Sequence, residues 1–283
     1  MAKKLLLALL GLIFAFTASR AVVKIMEPGF LFHPVIGLEA NPGFYGMKYM
    51  DVVMQSGGGR IHGWYLPKPE AYGFIVYFHG NGGNLAHSLG FLKFIEPMKA
   101  HVLAIDYNGY GKSEGEPSIE KVAENAVSAV EWLHKGKNIP LDRIILWGWS
   151  LGAGAALEAA EKYPGVAGII LESSFVSMRR MALEIYPWMP VALVTGAFDN
   201  GQAVSTLSAP KLFIHGAQDR VIPFSHSRQL FEMALEPKAF IAAQGAGHAN
   251  VYQAGGQDYF KAVEAWVYAR FADSWKKPEG GKP

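Results

Sequence analysis

The chain has 283 residues, 51% hydrophobic and 18% charged, which supplies apolar side chain for one large core and excludes a disordered tail or a coiled coil. Its 26 basic and 24 acidic residues leave a net charge of +2, without the electrostatic footprint of a nucleic-acid binder. The absence of cysteine excludes thiolate metal sites, thiol nucleophiles and disulfides, and leaves the redox compartment open.

Met1-Ala2-Lys3-Lys4 precedes an apolar run from Leu5 to Ala18, then Ser19, Arg20 and Ala21-Val22-Val23. Basic residues followed by an apolar run mark an exported N-terminus. Residues 1–24 are read as a membrane anchor, with Leu5 to Val23 in the bilayer and Arg20 snorkelling to its surface; a signal peptide cleaved near Ala21 is the alternative. In both cases the body lies outside the cytoplasm, membrane-anchored in the first and secreted or periplasmic in the second. Residues 25–275 make up one domain, and the Gly-, Pro- and Lys-rich residues 276–283 a fraying tail.

From Lys48 onward, short β-rich runs alternate with longer amphipathic stretches, the rhythm of a mostly parallel sheet covered by helices on both faces. Strands are expected at 50–53, 60–66, 74–78, 102–105, 143–147, 167–171, 211–214 and 238–241. Several are almost wholly apolar, as strands buried on both faces must be. Helices are expected at 85–98, 119–133, 151–162, 225–235 and 259–271. The second of these carries Ile119, Val122, Ala126, Val130 and Leu133 at helical spacing behind a Ser118 cap. The rhythm breaks at 175–209, where Met178, Met181, Tyr186, Trp188 and Met189 accompany proline and glycine. That segment reads as a small cap over the carboxyl ends of the strands, where open α/β sheets bind ligands.

Three motifs carry chemistry. Gly148-Trp149-Ser150-Leu151-Gly152 lies between an expected strand and an Ala-rich helix. In that context it is a tight turn that presents the Ser150 hydroxyl at the sheet edge and at a helix amino end. A serine alcohol needs a base, and an imidazole base needs a carboxylate to fix its tautomer. Downstream, the strand ending at Ile214 leads into His215-Gly216-Ala217-Gln218-Asp219, and the strand ending near Ile241 leads into Gly245-Ala246-Gly247-His248. Asp219 is the candidate acid and His248 the candidate base. His33, His62, His79, His87, His101, His134, His215 and His226 lie off that final glycine-rich loop and are set aside. Two amides are needed to hold an oxyanion: Leu151 follows the serine, and Asn81 lies in His79-Gly80-Asn81-Gly82-Gly83-Asn84 after the strand at 74–78. Neither GxGxxG nor GxxxxGK[ST] occurs, so the glycines do not announce a nucleotide site.

Together with Phe32-His33-Pro34, Gly63-Trp64-Tyr65-Leu66-Pro67 and Asp106-Tyr107-Asn108-Gly109-Tyr110-Gly111-Lys112-Ser113, these motifs resemble the α/β-hydrolase superfamily over roughly 32–269. The resemblance is to its small-capped branch of bud-emergence-type hydrolases and membrane-associated depalmitoylases and lysophospholipases. It implies an α/β-hydrolase fold with an eight-stranded, mostly parallel sheet, a Ser150, Asp219 and His248 triad, oxyanion amides at Asn81 and Leu151, and often an N-terminal anchor. Two positions depart from the branch: Asn108 stands where arginine is usual, and Ala249 separates His248 from an asparagine that usually follows it directly.

The expected activity is hydrolysis of an acyl ester or thioester through an acyl-enzyme, with no cofactor and no metal. Trp149, Met181 and Trp188 are the candidate substrate-pocket residues. An aminopeptidase of the same fold is one alternative, although the cap offers only Glu184 and Asp199 to meet a free amine. A catalytically silent binding module is another. The acyl chain, the leaving group and the oligomeric state are not specified by the sequence.

Overall fold

The computed structural model describes residues 10–11, 13–21, 29, 31–185, 187–188 and 198–275. The eight expected strands all form, each within a few residues of its expected limits: β1 (Met50–Ser56), β2 (Gly59–Leu66), β3 (Gly73–Phe78), β4 (Ala100–Ile105), β5 (Ile144–Trp149), β6 (Gly168–Glu172), β7 (Lys211–Gly216) and β8 (Lys238–Ala243). They make one sheet in the order β8-β7-β6-β5-β3-β4-β2-β1. β1 runs antiparallel to β2 and β2 antiparallel to β4, while every other neighbouring pair is parallel.

The central strands are buried on both faces because helices cover both, which is why they read as continuous apolar runs. On one face α2 (Ile119–Glu131) and α3 (Leu151–Lys162) cover β3 and β5, with Val122, Ala126, Ala129 and Val130 packed in the core. Ser118 caps α2 by accepting from the Lys121 amide. On the other face lie α1 (Leu89–Ile95) and α7 (Val251–Trp275), the latter broken at Gly256. The last helix thus starts eight residues before the expected 259, on the far side of that break. α4 (Met178–Ile185) and α5 (Asn200–Thr206) lie in the expected cap segment, and α6 (Ser225–Met233) follows β7. Tyr186, Met189, Val191 and Leu193 of that segment lie outside the described residues.

Two features were not legible in the sequence. His33–Pro34 pairs with Gly82–Gly83 as a two-stranded ribbon beside the main sheet, fastening the N-terminal segment to the glycine-rich loop. Asn108 is built into a buried amide network: its backbone amide donates to Asn125 Oδ1 at 2.8 Å and its side chain donates to the Glu114 carbonyl at 2.7 Å. The departure from arginine at that position is therefore absorbed by local hydrogen bonds. The Leu5–Val23 run lies partly outside the described residues, and among those described no helix is long and apolar enough to cross a membrane.

Candidate active site

Parallel strands carry their loops to one edge, and sequence-distant residues meet there. β5 ends at Trp149, and the next residue, Ser150, has φ 56° and ψ −117°, a positive φ that a non-glycine residue rarely takes. The turn closes this tightly because its flanks are glycine: a methyl group on Gly148 would collide with the Gly152 carbonyl, and one on Gly152 with the Phe78 carbonyl. The backbone amide of Ser150 donates to the Glu172 carbonyl at 2.9 Å, tying the turn to the end of β6.

His248, on the loop after β8, accepts from the Ser150 hydroxyl at Nε2 (3.0 Å) and donates from Nδ1 to Asp219 Oδ2 (2.8 Å). The other Asp219 oxygen accepts the amides of Val221 (2.8 Å) and Ile222 (3.0 Å). Burial by itself would raise the Asp219 carboxyl; hydrogen bonds from His215 and His248, the His248 charge and the Ile222 amide outweigh it and hold the carboxyl well below the usual carboxylate range. Asp219 is therefore an anion at neutral pH, as the orienting partner of an imidazole base must be. Ser150, His248 and Asp219 meet as expected from the sequence.

His215, set aside in the sequence, lies in this cluster. It is fully buried, its Nε2 faces Asp219 Oδ2 at 3.2 Å and the Ile222 carbonyl at 2.9 Å, and its Nδ1 accepts from Ser227 Oγ at 2.6 Å. Its place four residues before the acid, at the end of β7, was the available signal. The asparagine expected after His248 stands one residue further along, where Asn250 Oδ1 accepts the Gly247 amide at 2.7 Å and clasps the loop.

The glycine-rich loop passes directly over the serine. A Cβ on Gly80 would stand 3.5 Å from Ser150 Cβ and 3.0 Å from the Trp149 ring, so a side chain there would have to push that ring aside by a few tenths of an ångström. Around it the Tyr107 hydroxyl donates to the His79 carbonyl (2.8 Å), and the Asn81 carbonyl accepts from the Tyr110 hydroxyl (2.6 Å) and the His33 amide (3.0 Å). The Asn81 side chain is spent on the Leu31 carbonyl, so any role for Asn81 falls to its backbone. Leu151 opens α3, in the first turn whose amides have no partner within a helix.

The pocket candidates separate. Trp149 donates from its indole to the His248 carbonyl (3.1 Å) and packs against the His248 ring, forming a wall beside the serine. Met181 packs onto the core beneath α4, and Trp188 is 78% exposed. Both acids of the cap are engaged: Glu184 pairs with Arg180 and His226, each at 2.8 Å, and Asp199 caps α5 through the Gln202 amide. Among the described residues no group of three or more His, Asp or Glu is arranged to hold a metal ion.

Residues 73–206 match the family model described as alpha/beta hydrolase fold. A protein of Mycobacterium tuberculosis, itself uncharacterised, is 30% identical over 221 residues, which is 77% of this chain and 78% of its own. The alpha/beta hydrolase domain-containing protein WAV2 of Arabidopsis thaliana is 27% identical over 292 residues, 94% of each chain. The Pyrococcus furiosus esterase Pf2001 superposes with a TM-score of 0.71 at 15% identity, over 84% of this chain and 97% of its own, a likeness of fold alone. With its eight-stranded sheet, its strand-to-helix serine turn and these relatives, the chain belongs to the α/β-hydrolase fold family.

Proposed function

We propose that the protein is a serine hydrolase of carboxylic esters or thioesters, of the small-capped bud-emergence-type branch, held at a membrane by residues 1–24. The observation that carries the chemistry is the unbroken chain Ser150–His248–Asp219, at 3.0 and 2.8 Å, on a strained serine turn. The likeness of fold to the Pyrococcus furiosus esterase supports it.

In this reading Ser150 Oγ attacks the acyl carbon as His248 Nε2 takes its proton, and Asp219 stabilises the imidazolium. The oxyanion meets the backbone amides of Leu151 and Asn81. Collapse expels the alcohol or thiol, which takes its proton from His248, leaving an acyl-enzyme on Ser150. Water, deprotonated by His248, attacks that ester, and release of the carboxylic acid restores the serine.

The test is labelling of Ser150 by a fluorophosphonate, together with hydrolysis of acyl esters and thioesters of graded length. Ser150→Ala should lose the label and about 10⁴ to 10⁶ in turnover. A variant keeping a tenth of the activity would refute the assignment. Carbonate extraction of membranes with N-terminal sequencing of the mature chain tests the anchor; a soluble chain starting at Ala21 or Val22 overturns it in favour of a signal peptide.

A further inference from the structure

Behind Trp149 lies a cavity of about 90 Å³ that the hydrolytic chemistry does not use. Tyr77, Phe91, Trp149 and Tyr252 wall it, Glu172 closes its inner end, and His87 and Ala249 stand at its exposed mouth. Tyr77 and Phe91 are stacked with centroids 4.6 Å apart, and Tyr252 meets Phe91 edge-on at 5.9 Å. Glu172 is 4% exposed, and one of its oxygens accepts from the Trp147 indole at 3.0 Å. Among the described residues it forms no ion pair.

Burying a carboxyl is costly unless something rewards it. An aromatic box with a carboxyl at its end has the chemistry of a cation site: ring faces attract a cation and a carboxylate neutralises it. The volume limits the guest to a single small head group. The site is also placed for use, since its Trp149 wall packs on His248, Ala249 adjoins His248, and the Glu172 carbonyl holds the Ser150 amide.

We propose that this cavity is a subsite for a small ammonium group, a protonated primary amine or a methylated ammonium, carried by the substrate beside the ester or thioester that Ser150 attacks. The proposal rests on the hydrolase reading for its use, but not for its binding. It supplies the amine recognition that the cap acids, already engaged, do not.

Burial pushes the Glu172 carboxyl up to about 7, with the Trp147 hydrogen bond opposing. A bound cation favours the carboxylate, so affinity should rise with pH through about 7 and level off above it. The other titratable groups facing the cavity are Tyr77, Tyr252 and His87, with Tyr259 near Glu172. The three phenols are pushed up by burial and stay neutral across this range. His87→Gln and His248→Gln remove the two imidazoles, one at the mouth and one behind the Trp149 wall.

The experiment titrates the full-length protein with tetramethylammonium and with methylammonium, read by tryptophan fluorescence, with tert-butanol as the neutral control. Saturable binding by at least one cation is expected, weakened about tenfold at pH 5.5 relative to pH 8 and about tenfold in Glu172→Gln. Tyr252→Ala, altered at the wall near the mouth, is the second variant should Glu172→Gln not fold, and it too should weaken binding. The pH dependence should persist in His87→Gln and in His248→Gln. Absence of saturable binding of both cations up to about 50 mM, or binding indifferent to both substitutions, overturns the proposal.

Turnover then tests its use. Choline butyrate is compared with 3,3-dimethylbutyl butyrate, and a 4-aminobutyryl ester with the pentanoyl ester of the same alcohol. The cationic member should lead by about tenfold in kcat/KM in at least one pair, and parity in both overturns the substrate role. If no ester is cleaved and Ser150 takes no label, the hydrolase reading fails, while the fluorescence titration still judges the cavity.

Discussion

Replacing Asp219 with Asn separates geometry from charge in the Ser150–His248–Asp219 chain. The asparagine oxygen can keep the amides of Val221 and Ile222, at 2.8 and 3.0 Å, so the loop retains its backbone anchors. His215 keeps the Ile222 carbonyl at 2.9 Å and Ser227 at 2.6 Å. What changes is the position of Oδ2, where the 2.8 Å contact to His248 Nδ1 and the longer 3.2 Å contact to His215 Nε2, which keeps the Ile222 carbonyl, now meet an amide N–H in place of a carboxylate. The imidazole answers by placing its proton on Nε2, which points at Ser150 Oγ 3.0 Å away and is then unable to take the serine proton. The expected loss is about 10⁴ in kcat/KM, equivalent to about 5.5 kcal/mol of transition-state stabilisation. Stability should fall by only about 1.5–3 kcal/mol, the worth of a charge-assisted hydrogen bond. The Asp219 carboxyl is held low in the folded state, so its stabilisation is present above its ordinary value of 3.8 and lost as pH falls through the folded-state value. The stability gap between variant and wild type should therefore narrow below about pH 4. Hydrolysis of a p-nitrophenyl ester, the rate of fluorophosphonate labelling and urea unfolding measure the three effects. A folded Asp219→Asn protein with more than about a tenth of wild-type kcat/KM would show that another group orients His248.

Gly152→Val should abolish soluble folded protein or cost several kcal/mol, because its side chain would meet the Phe78 carbonyl in the centre of the sheet; a wild-type melting temperature would contradict the packing. Glu172 is raised from 4.5 to about 7 on folding, so the native state is most favoured below pH 4.5, and loses ground as pH rises until it levels off above about 7. Glu172→Gln should remove that slope and gain on the order of 3 kcal/mol relative to wild type between pH 4.5 and 8; parallel urea-unfolding curves at both pH values would refute it. Trp188→Ala, at an exposed position, should leave stability within about 0.5 kcal/mol, whereas Met181→Ala should cost about 1–3 kcal/mol because Met181 packs on the core. If either lines an acyl pocket, its loss lowers the octanoyl-to-acetyl ratio of kcat/KM; a ratio unmoved by both places the acyl pocket elsewhere.

The central strands were legible because strands buried on both faces must be apolar throughout, and all eight expected runs fall in the sheet. The serine turn was legible for a local reason: a corner between β5 and α3 that admits no Cβ at Gly148 or Gly152 requires its glycines at fixed spacing. Asp219 and His248 followed from that turn, because residues able to reach it must lie on loops at the same edge of a parallel sheet. Elsewhere the sequence was silent, since contacts between distant segments leave no spacing to read. Glu172 reads as an ordinary strand end until Tyr77, Trp149 and Tyr252 close around it. Its surroundings come from strands and helices separated by up to 175 residues, from Tyr77 to Tyr252, and burial in those surroundings is what raises the Glu172 carboxyl. Local sterics wrote the elements and the serine turn into the sequence, whereas the company each buried polar side chain keeps was decided only when the sheet brought its loops together.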